Sequence, residues 1–292
     1  PEPCDYTVID MCSESRRMAC GKGARSPVAI ATSICRTSWK RTKKCLVLMF
    51  DDPGRMHAMR EVLHQKRYKP LSQEKIDAGL LAGKVVVDGK LYAPDMLPYT
   101  KKEMSAFDLR TDIVWPRLWS SRGGKDVAFR LIKDACIYWH HEHSKPGQEF
   151  VVRYPGQLVS YPYSCPGAAE TLRSVSSDTF GEADQMIAEA AKLLSPLGTV
   201  FLQTIDTDII LQMLVSRGIY PTSRVWLRLM NETVSAHGLV GLYGGESIEQ
   251  RLTACFFLLC CNGVDYTCGL GGYGFYITGL SSLAHSPPVF SV

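Results

Sequence analysis

Short apolar runs that stop at acidic residues, separated by segments of helical periodicity, constrain this chain more than any other feature. Leu46-Val47-Leu48-Met49-Phe50 ends at Asp51-Asp52, and Val200-Phe201-Leu202 runs through Thr204 into Asp206-Thr207-Asp208. Runs of this length, apolar without alternation, are what strands covered on both faces look like. Val28-Ala29-Ile30-Ala31 reads the same way. Helical spacing predicts helices over 54–68, 126–141, 182–194, 208–216 and 247–261, with further strands over 199–204 and 225–229 and a strand and turn over 85–89. Such alternation predicts an α/β fold, rich in helix, with a mainly parallel central sheet between the helices.

Seven prolines, at 94, 98, 116, 146, 155, 162 and 166, break the periodicity of the middle of the chain, so 70–166 reads as an inserted region. Residues 1–26 are polar and carry loop chemistry; they read as an N-terminal arm, leaving 27–292 as one domain. The composition, 46% hydrophobic and 21% charged, is that of a chain that buries a core, which excludes disorder. The longest apolar stretch, 254–261, is eight residues, against the ~20 of a membrane-spanning helix. No secretory signal pattern is visible at the N-terminus. A net charge of +4 permits contact with nucleic acid without demanding it.

Eleven cysteines occur without any C-x-x-C pair, which argues against a zinc ribbon. Cys35, Cys45, Cys136, Cys255, Cys260 and Cys261 lie in apolar runs and read as small hydrophobes. Cys4, Cys12 and Cys20, spaced by eight along the polar arm, read as thiols available for intermolecular disulfides, and an odd total leaves at least one thiol outside any intramolecular pairing.

The carboxylates are the informative set. Asp51, Asp206 and Asp208 follow predicted strands, where α/β folds place ligand sites. Glu182 and Asp184 open a predicted helix, and Asp265 follows another. Hard oxygen donors gathered at strand ends suit Mg²⁺, although each acid taken singly also suits a helix N-terminus. His140 and His143 share a helical face near a helix end and read as solvated. Arg36, Lys40, Arg41, Lys43 and Lys44 form a basic tract that reads equally as a solvated loop or as a contact for phosphates.

Five of these segments, in order, resemble the flap endonuclease family of PIN-like nucleases. Val28-Ala29-Ile30-Ala31-Thr32-Ser33 is similar to the family's first strand, V-A-I-D-A-S, and Leu48-Met49-Phe50-Asp51 to the second, ending in F-D-G. Glu182-Ala183-Asp184 resembles E-A-E, Thr204-Ile205-Asp206-Thr207-Asp208 resembles T-E-D-M-D, and Gly263-Val264-Asp265-Tyr266 with the glycine-rich turn at 269–274 resembles G-C-D-Y and its sequel. The resemblance implies a PIN-like fold and a site formed by Asp51, Glu182, Asp184, Asp206, Asp208 and Asp265. It puts Ala31 where the family has its first metal-ligating Asp. A hydrocarbon there, an 18-residue remainder after Gly274 where the family continues into a DNA-gripping segment, and the prefixed arm together imply a vestigial site holding no metal.

The overall character, with arm thiols and an apolar tail of Pro287, Pro288 and Phe290, resembles the polyhedrins, occlusion-body matrix proteins of insect and crustacean nudiviruses. That likeness implies a viral structural protein without enzymatic activity, which self-assembles with further copies of itself into a disulfide-linked lattice around virions in the host-cell nucleus. The alternative is a Mg²⁺-dependent structure-specific endonuclease acting on DNA.

Overall fold

The computed structural model describes residues 3–19, 25–51, 71–154, 157–161, 167–173, 183–204, 224–229, 232–235, 247 and 250. In chain order, β1 (Cys4–Asp10) runs directly into α1 (Met11–Ala19), and α2 (Pro27–Trp39) leads into β2 (Thr42–Met49). Then come α3 (Gln73–Leu81), the hairpin β3 (Val85–Val87) and β4 (Lys90–Tyr92), the short α4 (Lys101–Ser105) and α5 (Trp115–Trp119), and the long α6 (Arg122–His143). β5 (Glu149–Tyr154), β6 (Gln157–Tyr161), α7 (Ala168–Thr171), α8 (Ala183–Leu194), β7 (Val200–Gln203), β8 (Val225–Leu229) and β9 (Glu232–Ser235) follow.

The main sheet has seven strands in the order β6-β5-β2-β1-β7-β8-β9. β5, β2, β1, β7 and β8 are mutually parallel, and β6 and β9 are antiparallel strands at the two edges. The fold is therefore α/β with a mostly parallel central sheet, as the alternation of runs predicts. Its centre is a correction. The polar arm expected over 1–26 contains the middle strand of the sheet: Tyr6 and Val8 are buried on one side of β1, Thr7 and Ile9 on the other. Charged and hydroxyl side chains in Cys-Asp-Tyr-Thr-Val-Ile-Asp hide a strand from a search for unbroken apolar runs.

Val28-Ala29-Ile30-Ala31 is the reverse case. It lies in α2, with Pro27 opening the helix and the Ser26 hydroxyl accepting the Ala29 N–H at 3.3 Å. Ile30, Ala31, Ile34 and Cys35 are all fully buried, the spacing of one helical face. Four apolar residues fit either period; the continuation through Ile34 and Cys35 decides for the helix.

Chain contacts divide the molecule into two compact units: Pro1–Glu14, Ser38–Arg60 and Pro146–Val292 form one, Ser15–Thr37 and Glu61–Lys145 the other. The region inserted between the strands thus stops at Lys145 rather than 166, because β5 and β6 belong to the main sheet.

In the first unit, Tyr6, Val8, Val47, Met49, Val151, Val200, Leu202, Val225 and Leu227 make a buried layer with Met186, Ile187, Ala190, Ala191 and Leu194 of α8. The alanines let α8 lie close to the strands. Leu46, Leu48, Phe150, Val152 and Phe201 are buried as well, so the central strands are covered on both faces. Each large apolar side chain so buried contributes roughly 1.5–3 kcal/mol before the entropic cost is counted.

In the second unit, the Ser121 hydroxyl caps α6 by accepting the Gly124 N–H at 3.0 Å, and Thr100 with Glu103 forms a reciprocal capping box on α4. Asp88 and Gly89, at φ 47° and 72°, make the tight turn expected after the strand at 85–87. His140 is buried, contrary to the solvated helix end expected for it, and His143 stacks on Trp139 at 4.5 Å. Among the described residues, no helix is long and apolar enough to cross a membrane. The helices expected over 54–68 and 208–216 lie outside the described residues. For that over 247–261, Ser247 and Gln250 exchange two capping bonds of 3.2 Å.

Candidate functional site

The two central strands each end in an aspartate. β1 closes with Asp10, and Asp51 follows β2 by two residues. β1 pairs with β2 on one side and with β7, nearly 200 residues later, on the other. This is the point at which successive connections change direction across the sheet, and in open α/β folds the crevice beyond the strand carboxyl ends at that point receives ligands.

Asp10 is 3% exposed and its carboxylate is held by three donors. Oδ1 accepts the N–H of Cys12 at 2.9 Å and of Ser13 at 3.1 Å, the geometry of an N-cap on α1. Oδ2 accepts the Thr204 hydroxyl at 3.1 Å, linking the end of β1 to the residue just after β7. Three donors favour the ionised form, but burial and the neighbouring Asp51 charge outweigh them, and the group titrates at about 6.

Asp51 Oδ1 accepts the Ala183 N–H at 2.8 Å, so this carboxylate fixes the first turn of α8 beside the end of β2. The Asp51 N–H points to Cys12 Sγ at 3.4 Å. Burial, with the charges of Asp51 and Asp10, pushes the Cys12 thiol well above its ordinary range. Two further charged groups stand at this end of the sheet. Arg153, 1% exposed, lies in register with Met49 and through it with Asp10; it donates from Nη1 to the Phe50 carbonyl at 3.2 Å, while the Phe50 N–H returns to the Arg153 carbonyl at 3.0 Å. Arg228 on β8 pairs with the buried Glu14 of α1 at 3.6 Å.

The structure places Ala31 and the first strand's terminal acid apart. Ala31 is a core residue of a helix, not the end of the first strand, and the aspartate terminating the first strand is Asp10. The signal for it was present in Val8-Ile9-Asp10, a short apolar pair ending in an acid as at Phe50-Asp51. Asp184 belongs to α8, though its side chain is outside the described residues; Glu182, Asp206, Asp208 and Asp265 lie outside them too. Their sequence neighbours are fixed nonetheless: Ala183, between Glu182 and Asp184, is bonded to Asp51, and Thr204, two residues before Asp206, is bonded to Asp10. Among the described residues, no three His, Cys, Asp or Glu side chains converge as a metal-ligating group. Asp10 and Asp51 are neighbouring carboxylates at the ends of β1 and β2.

The thiols expected on a free arm are placed differently. Cys4 is buried in β1, Cys12 opens α1 beside Asp51, and Cys20 lies outside the described residues, as do Pro287, Pro288 and Phe290. The basic tract is not at the carboxylates. Lys40, Arg41, Lys43 and Lys44 surround the amino ends of β1 and β2, where the Cys4 N–H bonds the Arg41 carbonyl at 2.8 Å. No known protein-family model matches the chain, and no curated protein is significantly similar to it in sequence.

Proposed function

We propose that this chain is a divalent-metal-dependent phosphodiesterase of nuclease type, with Asp10 and Asp51 at the heart of its site. The observation that carries the reading is the juxtaposition of these two carboxylates at adjacent strand ends, close enough for the charge of Asp51 to help hold Asp10 near pH 6. A site that brings acids together at that cost is matched to a cation. The donors are hard oxygens, and Oδ2 of Asp10, which accepts a single protein hydrogen bond, keeps a lone pair for an ion, which fits Mg²⁺ or Mn²⁺.

A bound divalent ion supplies Lewis acidity toward a phosphate ester and makes water a stronger acid. The chain's own groups do the rest. The α1 amides and Thr204 fix the plane of Asp10, Ala183 fixes Asp51, and the Phe50–Arg153 bonds hold the peptide that carries Asp51. Asp206, Asp208, Glu182 and Asp184 follow or flank the anchored residues in sequence and complete the ligand set in this reading. The self-assembling occlusion-body reading drew on hydrocarbon at the first ligand position and on thiols in a free arm; with Asp10 at the strand end and Cys4 inside the sheet, the nuclease reading has the stronger support. Incubation of the protein with single-stranded, duplex and flap DNA and with RNA, in Mg²⁺ or Mn²⁺, tests it. Cleavage lost in EDTA and in Asp10→Asn or Asp51→Asn is the expected result; an absence of cleavage under every metal, or cleavage unaffected by both substitutions, overturns it.

A further inference from the structure

The opposite ends of the same strands carry a second, chemically distinct surface. At the amino ends of the strands, Lys40 and Arg41 are exposed on the connection into β2, Lys43 and Lys44 are exposed in its first residues, and Arg224 is exposed immediately before β8. The order β2-β1-β7-β8 sets these two groups three strand spacings apart, about 14 Å.

What distinguishes this surface from an ordinary solvated run of charge is the state of its acids. Asp5 is consumed internally: Oδ2 accepts the Thr199 N–H at 2.9 Å and the Thr199 hydroxyl at 3.1 Å, and Oδ1 pairs with Lys44 at 3.2 Å. Glu149, at the start of β5, is 6% exposed and accepts the N–H groups of Ala168 and Ala169 and the Ser160 hydroxyl. Among the described residues, Lys40 and Lys43 have no acidic partner. The carbonyls at the end of α8, which would repel an anion, are covered by Arg224, whose Nη1 reaches Pro196 O at 3.1 Å and Ser195 O at 3.5 Å. Arg41 is braced over the Phe201 ring at 5.6 Å. The connection itself is short and tied, Arg41 N–H to Ser38 O at 2.9 Å, with Thr42 buried between the cations.

We infer that this amino end of the sheet is a docking surface for the sugar-phosphate backbone of a nucleic acid. The cations span the axial length of about four phosphates of one strand. They come from a fixed framework, and among the described residues no exposed aromatic accompanies them, so the contacts are to the backbone and carry no sequence information. The inference does not rest on the metal-site reading, because the carboxylates lie at the other ends of the strands.

Binding of a fluorescein-labelled 20-nucleotide DNA, single-stranded and duplex, is followed by anisotropy in EDTA across a salt series, with the full chain. Lys40→Glu/Lys43→Glu is compared with Lys101→Glu/Lys102→Glu, which makes the same change in net charge at exposed positions on α4. The expected result is at least a tenfold weaker Kd for the first variant and a log–log salt slope shallower by about 2, with little change in the second and with circular dichroism unaltered in both. Equal losses in the two variants, or unchanged affinity in the first, overturn the inference. Binding of phosphatidylserine vesicles by the wild type but not the first variant, without binding of DNA, overturns it in favour of a lipid surface.

Discussion

Asp51 accepts the amide proton of Ala183 at 2.8 Å across 132 residues of sequence, so one carboxylate both closes the second strand of the sheet and caps the helix that packs beneath it. The two roles separate by substitution. Asparagine keeps an oxygen acceptor for the Ala183 N–H and loses the charge; alanine loses both. Asp51→Asn is expected to retain wild-type stability while weakening Mn²⁺ binding by at least tenfold, and Asp51→Ala to cost a further ~1 kcal/mol in unfolding free energy. Isothermal titration with Mn²⁺ and urea denaturation measure the two effects.

Asp10 gives the molecule a characteristic pH dependence. Its folded pKa of about 6 lies above the ordinary 3.8, so the folded state binds this proton more tightly than the unfolded one. The contribution is fully present below about 3.8 and is lost as pH rises through about 6; on the order of 3 kcal/mol is at stake. Asp10→Asn, which keeps the cap on α1, is expected to be more stable than wild type at pH 7 and nearly equal at pH 4. Urea denaturation of both proteins at several pH values checks this, and saturating Mg²⁺ is expected to raise the wild-type curve at pH 7 more than that of the variant.

Gly167 has no room for a side chain: a Cβ there would stand 2.5 Å from Glu149 Oε2, the oxygen that accepts the Ala168 N–H. Gly167→Ala is expected to displace the carboxylate and to destabilise by about 1–3 kcal/mol, the cost of leaving buried polar groups unmade. Gly198 faces Asp5 in the same way, with Oδ2 at 2.5 Å and Cγ at 2.9 Å, and Gly198→Ala is expected to lower the melting temperature also. Thermal denaturation compares the two variants with an exposed control, Gly123→Ala, which has nothing within 4 Å.

The described thiols are reduced and mostly interior. Cys4, Cys35, Cys45 and Cys136 are buried, and hydrogen bonding to Cys136 together with burial pushes Cys35 well above the usual thiol range. Such groups are poor nucleophiles. Iodoacetamide at pH 8 is expected to leave these four unmodified in the folded protein and to label them after addition of urea, as read by peptide mass spectrometry.

The sequence pattern reveals the fold class because continuous apolar runs survive in β2, β7 and β8, and the helix over 183–194 shows a clean buried face of Met186, Ile187, Ala190 and Leu194. It conceals the central strand because Asp5, Thr7 and Asp10 do not look like core residues. Each is satisfied by a bond to a residue remote in sequence: Asp5 by Thr199, Thr7 by Thr42, Asp10 by Thr204. No periodicity contains those partners. The same displacement explains why the run ending at Ala31 reads as a strand: it lies in α2 and imitates the strand that β1 supplies with polar letters. Asp51 is legible because the run leading into it, 45–50, is purely apolar; Asp10 is not, although the two acids end neighbouring strands.

The pairing of β1 with β7 joins Tyr6 to Val200, and the hydrogen bonds beside it span 194 residues. At 5–20 residues per second, a ribosome needs roughly 10–40 s to deliver that partner after the strand itself has emerged. Throughout this interval β1 presents an open backbone edge, with β2 as its early companion on one side only. An unpaired strand edge of this kind is open to pairing with other chains until translation reaches the far half.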